Sequence, residues 1–206
     1  MAVVFFDVAM SLDGFIGGPN RGPKNPLGDG GIGMHTWMFS TPTFREMLHL
    51  DGAGETSTDD QLVKAVFARS GAYVMGRNMF EEGEANWPAD APFHAPVFVL
   101  SHDKREPWER QGDTTFYFVT DGIESALAQA KKAANGKDVR ISGGAYTIKE
   151  YLHAGLIDEF TIHLAPVLLG DGVRILDRLS RDKVKVQQME SSGSELVTHV
   201  TYRVSR

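Results

Sequence analysis

Two glycine-bearing turns carry the residues best suited to hold a ligand. One reads Val74-Met75-Gly76-Arg77-Asn78, the other Ile141-Ser142-Gly143-Gly144-Ala145. Each follows an apolar run short enough to be a buried strand, and the second leads straight into a helical pattern. A strand that ends in glycine and opens a helix leaves backbone N–H groups bare at a positive dipole end, an arrangement that accepts phosphate. Two such turns far apart in sequence point to a ligand with more than one phosphate, held between strand ends of one sheet. Arg77 adds a guanidinium that can grip phosphate through two parallel bonds. The Gly143-Gly144 pair lets backbone approach a ligand closely; close helix–strand packing is its alternative use. Ser101-His102-Asp103-Lys104-Arg105 follows a third strand and is either a ribose-phosphate contact or a solvated charged loop.

Other chemistries find little support. The seven histidines, among them His35, His163 and His199, show no metal spacing such as H-E-x-x-H. There is no G-x-S-x-G elbow, and a chain without cysteine has no thiol nucleophile, thiolate metal site or disulfide. Gly28-Asp29-Gly30-Gly31-Ile32-Gly33 matches G-x-G-x-x-G literally, yet loop precedes it and no amphipathic helix follows. It is a decoy within a glycine-rich flap rather than a dinucleotide fingerprint. A cofactor that does the chemistry fits these facts better than covalent hydrolysis.

These turns need a scaffold, and 206 residues suffice for one domain, 1–206, with a real core. Residues 3–9 read as a buried first strand, too short and too acidic at Asp7 for a signal peptide. No apolar stretch is long enough for a bilayer, so no membrane partner is expected. The net charge of −6 argues against nucleic acid, and nothing suggests secretion. The expected setting is cytoplasmic. Residues 17–35, rich in Gly, Pro and Asn, leave a strand end without hydrophobic period and read as a flap over a site, or as a surface insertion.

Downstream, Thr43 and Glu46 are spaced as a capping box for a short helix over 43–50. Ser57 or Thr58 caps a firmer helix, with Asp59 and Asp60 in its first turn and Leu62, Val63, Val66 and Phe67 as its stripe up to Gly71. Strands follow over 72–75, 96–100 and 115–119. Asp121 and Glu124 open a helix closed by Asn135-Gly136, strand 138–141 follows, and Ile148, Tyr151 and Leu152 mark the next helix. A strand begins at 157, and two alternating strands, 184–189 and 196–204, flank Ser192-Gly193. The expectation is α/β: a mostly parallel sheet between helices with an antiparallel C-terminal hairpin.

Ala9-Met10-Ser11-Leu12-Asp13-Gly14-Phe15-Ile16-Gly17 resembles the first strand and turn of dihydrofolate reductases. It is closer to the reductase domain of the bifunctional riboflavin-biosynthesis deaminase/reductase. Both glycine turns, Val99-Leu100-Ser101 and the stretch 158–170 resemble that superfamily in order and over nearly the whole chain. The resemblance implies a dihydrofolate-reductase-like three-layer α/β/α fold, NADPH as hydride donor, a small heterocyclic substrate and a homodimer. Carried over by position, Ala9 and Ile16 would hold the nicotinamide carboxamide. Gly76, Arg77, Asn78 and Met79 would hold the adenosine-side phosphates, and Ser101 and His102 would lie near the 2′-phosphate. Gly143, Gly144, Ala145, Tyr146 and Thr147 would wrap the pyrophosphate. Asp60 falls where such reductases keep a pterin-binding acid, although a first-turn carboxylate also serves as a cap. His163 would face the substrate, to pair with Asp60 or give a proton, unless it is a core histidine. Trp37 and Trp87 would wall the site or pack in the core. The deaminase zinc motif and an arginine cluster for a substrate ribose phosphate are not found. The alternative on this fold is a non-catalytic NADP(H)-binding module.

Overall fold

The structure, a computed structural model, describes residues 2–180 and 184–205. Its frame is one sheet of nine strands: β1 (Val4–Ser11), β2 (Ser70–Gly76), β3 (Val97–Leu100), β4 (Trp108–Glu109), β5 (Thr115–Val119), β6 (Asp138–Gly143), β7 (Glu159–Ala165), β8 (Lys185–Gly193) and β9 (Thr198–Ser205). Their order across the sheet is β4-β5-β3-β2-β6-β1-β7-β9-β8. The six strands from β5 to β7 run parallel, and antiparallel β4 and the β9–β8 hairpin close the two ends. All six parallel carboxyl ends therefore lie along one edge, where ligands bind in open α/β sheets.

Both faces of the sheet are covered, which is why its central strands are apolar runs rather than alternations. On β2, Ala72 and Val74 point into the core shared with α5 (Ile123–Ala133) and α6 (Ala145–His153). Tyr73 and Met75 point the other way, into an aromatic cluster. On that second face lie α1 (Thr36–Phe39), α2 (Pro42–Met47), α3 (Thr58–Arg69) and α4 (Arg77–Glu84). Phe80 of α4 is 2 % exposed and sits within 5.2–6.1 Å, ring to ring, of Trp87, Trp108, Phe116 and Phe118. This is the three-layer, dihydrofolate-reductase-like arrangement expected from the sequence.

Several local expectations need correction. The short helix starts at Pro42 and is capped by Thr41, not Thr43, because proline at the first helical position is already preset for the turn. The α3 helix gives way to β2 at Ser70, ahead of Gly71. Helix α4 shows no apolar stripe because only Phe80 is buried, and its Gly83 is required by the Trp87 ring, 2.1 Å from where a Cβ would stand. Strand β8 runs through Ser192-Gly193, so the hairpin turns over residues 194–197 instead. The flap is not featureless: Gly31–His35 forms a 3-10 turn and Met34 is fully buried.

One discontinuity in the sheet matters most. Strands β1 and β6 pair only at Val4–Val139 and Phe5–Arg140. Beyond that point β6 stays with β2 as far as Gly143, and β1 stays with β7 as far as Ser11. The sheet therefore splits toward its carboxyl edge, with Asp7, Val8 and Ala9 on one lip and Ser142, Gly143 and Gly144 on the other.

Candidate active site

Two neighbouring cavities open at this edge. The larger, about 610 Å³, is lined by Gly76, Arg77, Asn78 and Met79 from the β2–α4 turn. Ser101 and His102 follow β3, Gly122 and Ile123 open α5, and Gly144, Ala145, Tyr146 and Thr147 open α6 along the same wall. Helices α4, α5 and α6 all begin here with glycine at the N-cap (Gly76, Gly122 and Gly144) and none has a side-chain cap. Helices α2 and α3 begin elsewhere and are capped by Thr41 and Ser57. Three helix starts left open on one cavity concentrate bare N–H donors and positive dipole ends there. A Cβ on Gly144 would meet nothing within 4 Å, so this stretch of backbone faces open space. At Gly76 a Cβ would lie 2.4 Å from Thr147 Oγ1, so that glycine is needed for the turn to dock on α6. The Gly143–Gly144 peptide is cis.

Lysine 104 and Arg105 do not line the cavity, and Arg105 pairs with Glu84 at 2.6 Å and covers the Phe118 ring. Arg77 is shared between Glu81 at 2.6 Å and Asp103. Ser101 Oγ accepts the Asp103 N–H at 3.1 Å.

The second cavity, about 410 Å³, fills the split between β1 and β6. Arg21, Met79, Glu82 and Gly144 line both cavities, so the two lie side by side with these residues between them. Ala9 and Ile16 line the inner one, as do Trp37, Phe39, Phe44, Phe67, Trp87 and Phe93. The Ile16 N–H is spent on the Val173 carbonyl at 2.8 Å, which leaves only its own carbonyl for a ligand. The Ser-Leu-Asp-Gly run holds this corner rather than the ligand. Asp13 accepts Ser11 Oγ at 2.6 Å and the N–H of Gly170 at 2.7 Å. The hydroxyl of Ser11 foremost, with the backbone N–H groups of Gly170, Leu169 and Asp13 itself, brings the Asp13 carboxyl down to about 2.

The polar floor of the inner cavity is a buried chain of charged groups. Arg140 grips Asp7 with two bonds of 2.5 and 2.9 Å. Asp7 Oδ2 faces His163 Nε2 at 3.3 Å, His163 Nδ1 faces His199 Nδ1 at 2.8 Å, and His199 Nε2 faces Asp59 Oδ1 at 3.1 Å. Ser194 donates to Asp59 Oδ2 at 2.7 Å. Trp37 covers both imidazoles, 4.8 and 4.9 Å away. Burial raises the Asp7 carboxyl, but the Arg140 charge and the His163 contact outweigh it and hold it at about 2. Burial lowers His199, assisted by His163 and opposed by Asp59.

Asp60 is not part of this chain and lines neither cavity. Its Oδ1 accepts the Thr43 N–H at 2.9 Å, and its Oδ2 lies 2.9 Å from the Lys64 ammonium. Burial raises its carboxyl, and Thr43 and Lys64 bring it below the usual range. The acid expected at the substrate is thus a staple between α2 and α3, and His163 pairs with Asp7 rather than Asp60. Neighbouring residues of a helix point about 100° apart, so Asp59 reaches the histidines and Asp60 does not. His35 of the flap also lines the inner cavity, with Nδ1 3.1 Å from the Gly31 carbonyl. Burial foremost lowers this ring; the Gly31 carbonyl opposes it and His163 and Arg21 add to it, so the neutral form is favoured. Reading the sequence missed Asp7, Arg140, Asp59, His199 and His35. His163 and His199, each within a strand-like run, were the one available signal, and they are direct cross-strand partners.

Residues 2–198 match the RibD C-terminal domain. The chain belongs to this family. A solved structure named for riboflavin biosynthesis, from Shewanella sp. PV-4, is 27% identical, with full coverage of both chains and a TM-score of 0.69. The deaminase/reductase of Thermotoga maritima is 13% identical at a TM-score of 0.60; the match covers 99% of this chain and 57% of that one. Dihydrofolate reductase from Enterococcus faecalis, in complex with NADP(H), is 14% identical at a TM-score of 0.56, covering 99% and 97%. The last two show the fold. Membership of the RibD C-terminal family makes this a reductase-type domain of the riboflavin-pathway kind. Among the described residues no helix is long and apolar enough to cross a membrane, and no cluster of His, Asp and Glu is arranged to hold a metal ion.

Proposed function

We propose that the protein is an NADPH-dependent reductase that transfers hydride to a flat, uncharged nitrogen heterocycle of pterin or pyrimidine type. The observation that carries this reading is the adjacency of the two cavities at the split in the sheet. The outer one offers three uncapped helix starts for a diphosphate, and the inner one offers aromatic walls for a ring. The residues fit a dinucleotide because the Gly144 backbone faces open space where its pyrophosphate must cross between the cavities.

In this reading Gly144, Ala145, Tyr146 and Thr147, opposite Gly76, Asn78 and Met79, bind the diphosphate. Ser101 and His102 take the adenosine-side phosphate, and Arg77 joins them by exchanging Glu81 or Asp103 for it. Ala9 and the Ile16 carbonyl orient the carboxamide on the β1 lip, beside Gly143. When bound, NADPH supplies the hydride. Trp37, Trp87 and Phe93 sandwich the substrate, and the flap excludes water. His163 gives the proton that the reduced ring nitrogen or oxygen requires.

The charge balance narrows the substrate. Both guanidiniums of the inner cavity are occupied, Arg140 by Asp7 and Arg21 by Glu82. With His35 neutral, no unpaired cation among the described residues awaits a phosphate there. A heterocycle without a ribose phosphate is therefore favoured. The experiment is NADPH oxidation against matched phosphorylated and unphosphorylated pterins and pyrimidines, with dinucleotide affinity measured separately by calorimetry. Saturable NADPH binding with turnover of an unphosphorylated ring is expected. No binding of either reduced pyridine dinucleotide would end the proposal.

A further inference from the structure

The hydrogen-bond arithmetic of the two buried histidines goes further than a single proton donor. Two Nδ1 atoms 2.8 Å apart need one hydrogen between them. Each Nε2 then faces an acidic side chain, at 3.3 Å for Asp7 and 3.1 Å for Asp59. An ionised carboxylate only accepts, and Asp7 is held ionised by its two bonds from Arg140. His163 Nε2 must therefore carry hydrogen. At the far end the hydrogen between His199 and Asp59 resides on either partner. Every satisfied arrangement contains three hydrogens for three contacts, one more than two neutral imidazoles and two carboxylates possess.

We infer that His163, His199 and Asp59 together store one extra proton beside the inner cavity, with His199 and Asp59 acting as positioning residues that keep it available at His163 Nε2. The inference rests on the reductase reading only for the use made of that proton.

Its charge is compensated on the spot. Arg140 and the stored proton contribute two positive charges, Asp7 and Asp59 two negative ones, so the buried cluster is neutral as a whole. Breaking this balance at either end exposes an uncompensated buried charge. The other titratable groups around it are His35 of the flap and Tyr73 of β2; His35 is neutral and Tyr73 is raised by burial, so neither competes for the proton. Only one extra proton fits, because two Nδ1 atoms 2.8 Å apart cannot both carry hydrogen.

Position decides where it leaves. His163 and Asp7 line the cavity, and His199 and Asp59 do not. His163 Nδ1 points to His199, so Nε2 is the ring atom on the cavity side. In a reduction, hydride from a reduced pyridine dinucleotide adds to the substrate carbon of a C=N or C=O bond. The π pair moves onto nitrogen or oxygen, and that atom takes the hydrogen from His163 Nε2. The hydrogen between the rings settles on His163 Nδ1, and any hydrogen on Asp59 moves to His199 Nε2. Two neutral imidazoles and two carboxylates remain, and water restores the proton when product leaves.

Two measurements test this on the full-length protein. In the ligand-free protein with 15N-labelled histidine, NMR at neutral pH should show three nitrogen-bound hydrogens for the two rings, or an imidazole hydrogen shared with Asp59. Asp59→Asn and His199→Gln, which keep hydrogen-bonding capacity, should remove that signal and move the alkaline limb of kcat to lower pH by about one unit. This is a tenfold loss at a fixed alkaline pH. Unchanged limbs in both variants, or two neutral rings with unshared hydrogens in the free protein, would overturn it. A merely structural role would lower Tm and leave the His163 titration in place. If no substrate turns over while the NMR signal is present, the reductase reading fails and the stored proton stands.

Discussion

The Arg21 guanidinium meets the Glu82 carboxylate at 2.6 Å, and this ion pair fastens the flap to α4 on the boundary between the two cavities. The only other side-chain tie described between flap and α4 region is Asn86 Nδ2 to the Pro23 carbonyl at 3.1 Å. Arg21→Ala should leave unfolding free energy within about 1 kcal/mol of wild type, since both partners retain some solvent access. Dinucleotide affinity should fall about tenfold, because the ion pair holds the flap at the boundary where the diphosphate lies. Urea unfolding and calorimetry on the same sample separate the two effects. Loss of stability without loss of affinity would make Arg21 a flap anchor only.

Asp7 is the buried carboxylate that, with the half-buried Asp13, ties stability to acid pH. Its folded carboxyl titrates at about 2, below the ordinary value of 3.8. The unfolded chain therefore takes up the proton first as pH falls. The stabilisation is complete above the unfolded value and is lost as pH drops from about 4 toward 2. Asp7→Asn removes this dependence and strands Arg140 in the interior, at a cost of about 3–5 kcal/mol. Urea unfolding between pH 2 and 6 should show a steep acid slope in wild type and a shallower one in the variant. Equal slopes would mean another carboxylate controls acid unfolding.

The two glycines of the cradle should respond in opposite ways to a methyl group. At Gly144 a Cβ meets nothing within 4 Å and φ is −71°, so alanine fits the free protein with little change in Tm. The same methyl occupies the space assigned to the pyrophosphate, and NADPH affinity should fall at least about tenfold. At Gly76 the methyl collides with Thr147 Oγ1, so Gly76→Ala should cost about 1–3 kcal/mol of stability. Thermal unfolding with and without NADPH distinguishes the pair. A Gly144→Ala protein with wild-type affinity removes the α6 start from the cofactor site.

The glycine turns, the mostly parallel sheet and the terminal hairpin were legible because each shows in local sequence: an apolar run, a glycine, a capping pattern. Helix α4 was not, since one buried residue, Phe80, anchors it and carries no period. The floor of the inner cavity was less legible still. Asp7, Arg140, His163, His199 and Asp59 come from β1, β6, β7, β9 and α3, so their proximity depends on which strands adjoin. The resemblance points to the first turn of α3, where Asp59 and Asp60 adjoin, and to Asp60 of the two. Choosing between adjacent carboxylates requires the rotation of the helix about its axis, which Val63 and the Trp37 cluster set through packing.

That choice yields the last prediction. Asp60 supports α2 by accepting the Thr43 N–H, and Lys64 compensates its charge. Asp60→Asn keeps an acceptor for Thr43 and loses the ion pair, so stability should drop by about 1 kcal/mol. Asp60→Ala leaves the half-buried Thr43 N–H without this partner and should cost about 1–2 kcal/mol. Because neither cavity touches Asp60, kcat should stay within about twofold of wild type in Asp60→Asn, under 0.5 kcal/mol of barrier. Asp59→Asn, one residue earlier, should depress kcat at alkaline pH while binding NADPH normally. Steady-state kinetics across pH for the two asparagine variants decides the matter: if Asp60→Asn is the variant that loses turnover with NADPH affinity intact, Asp60 is the acid of this site and the histidine pair is part of the core.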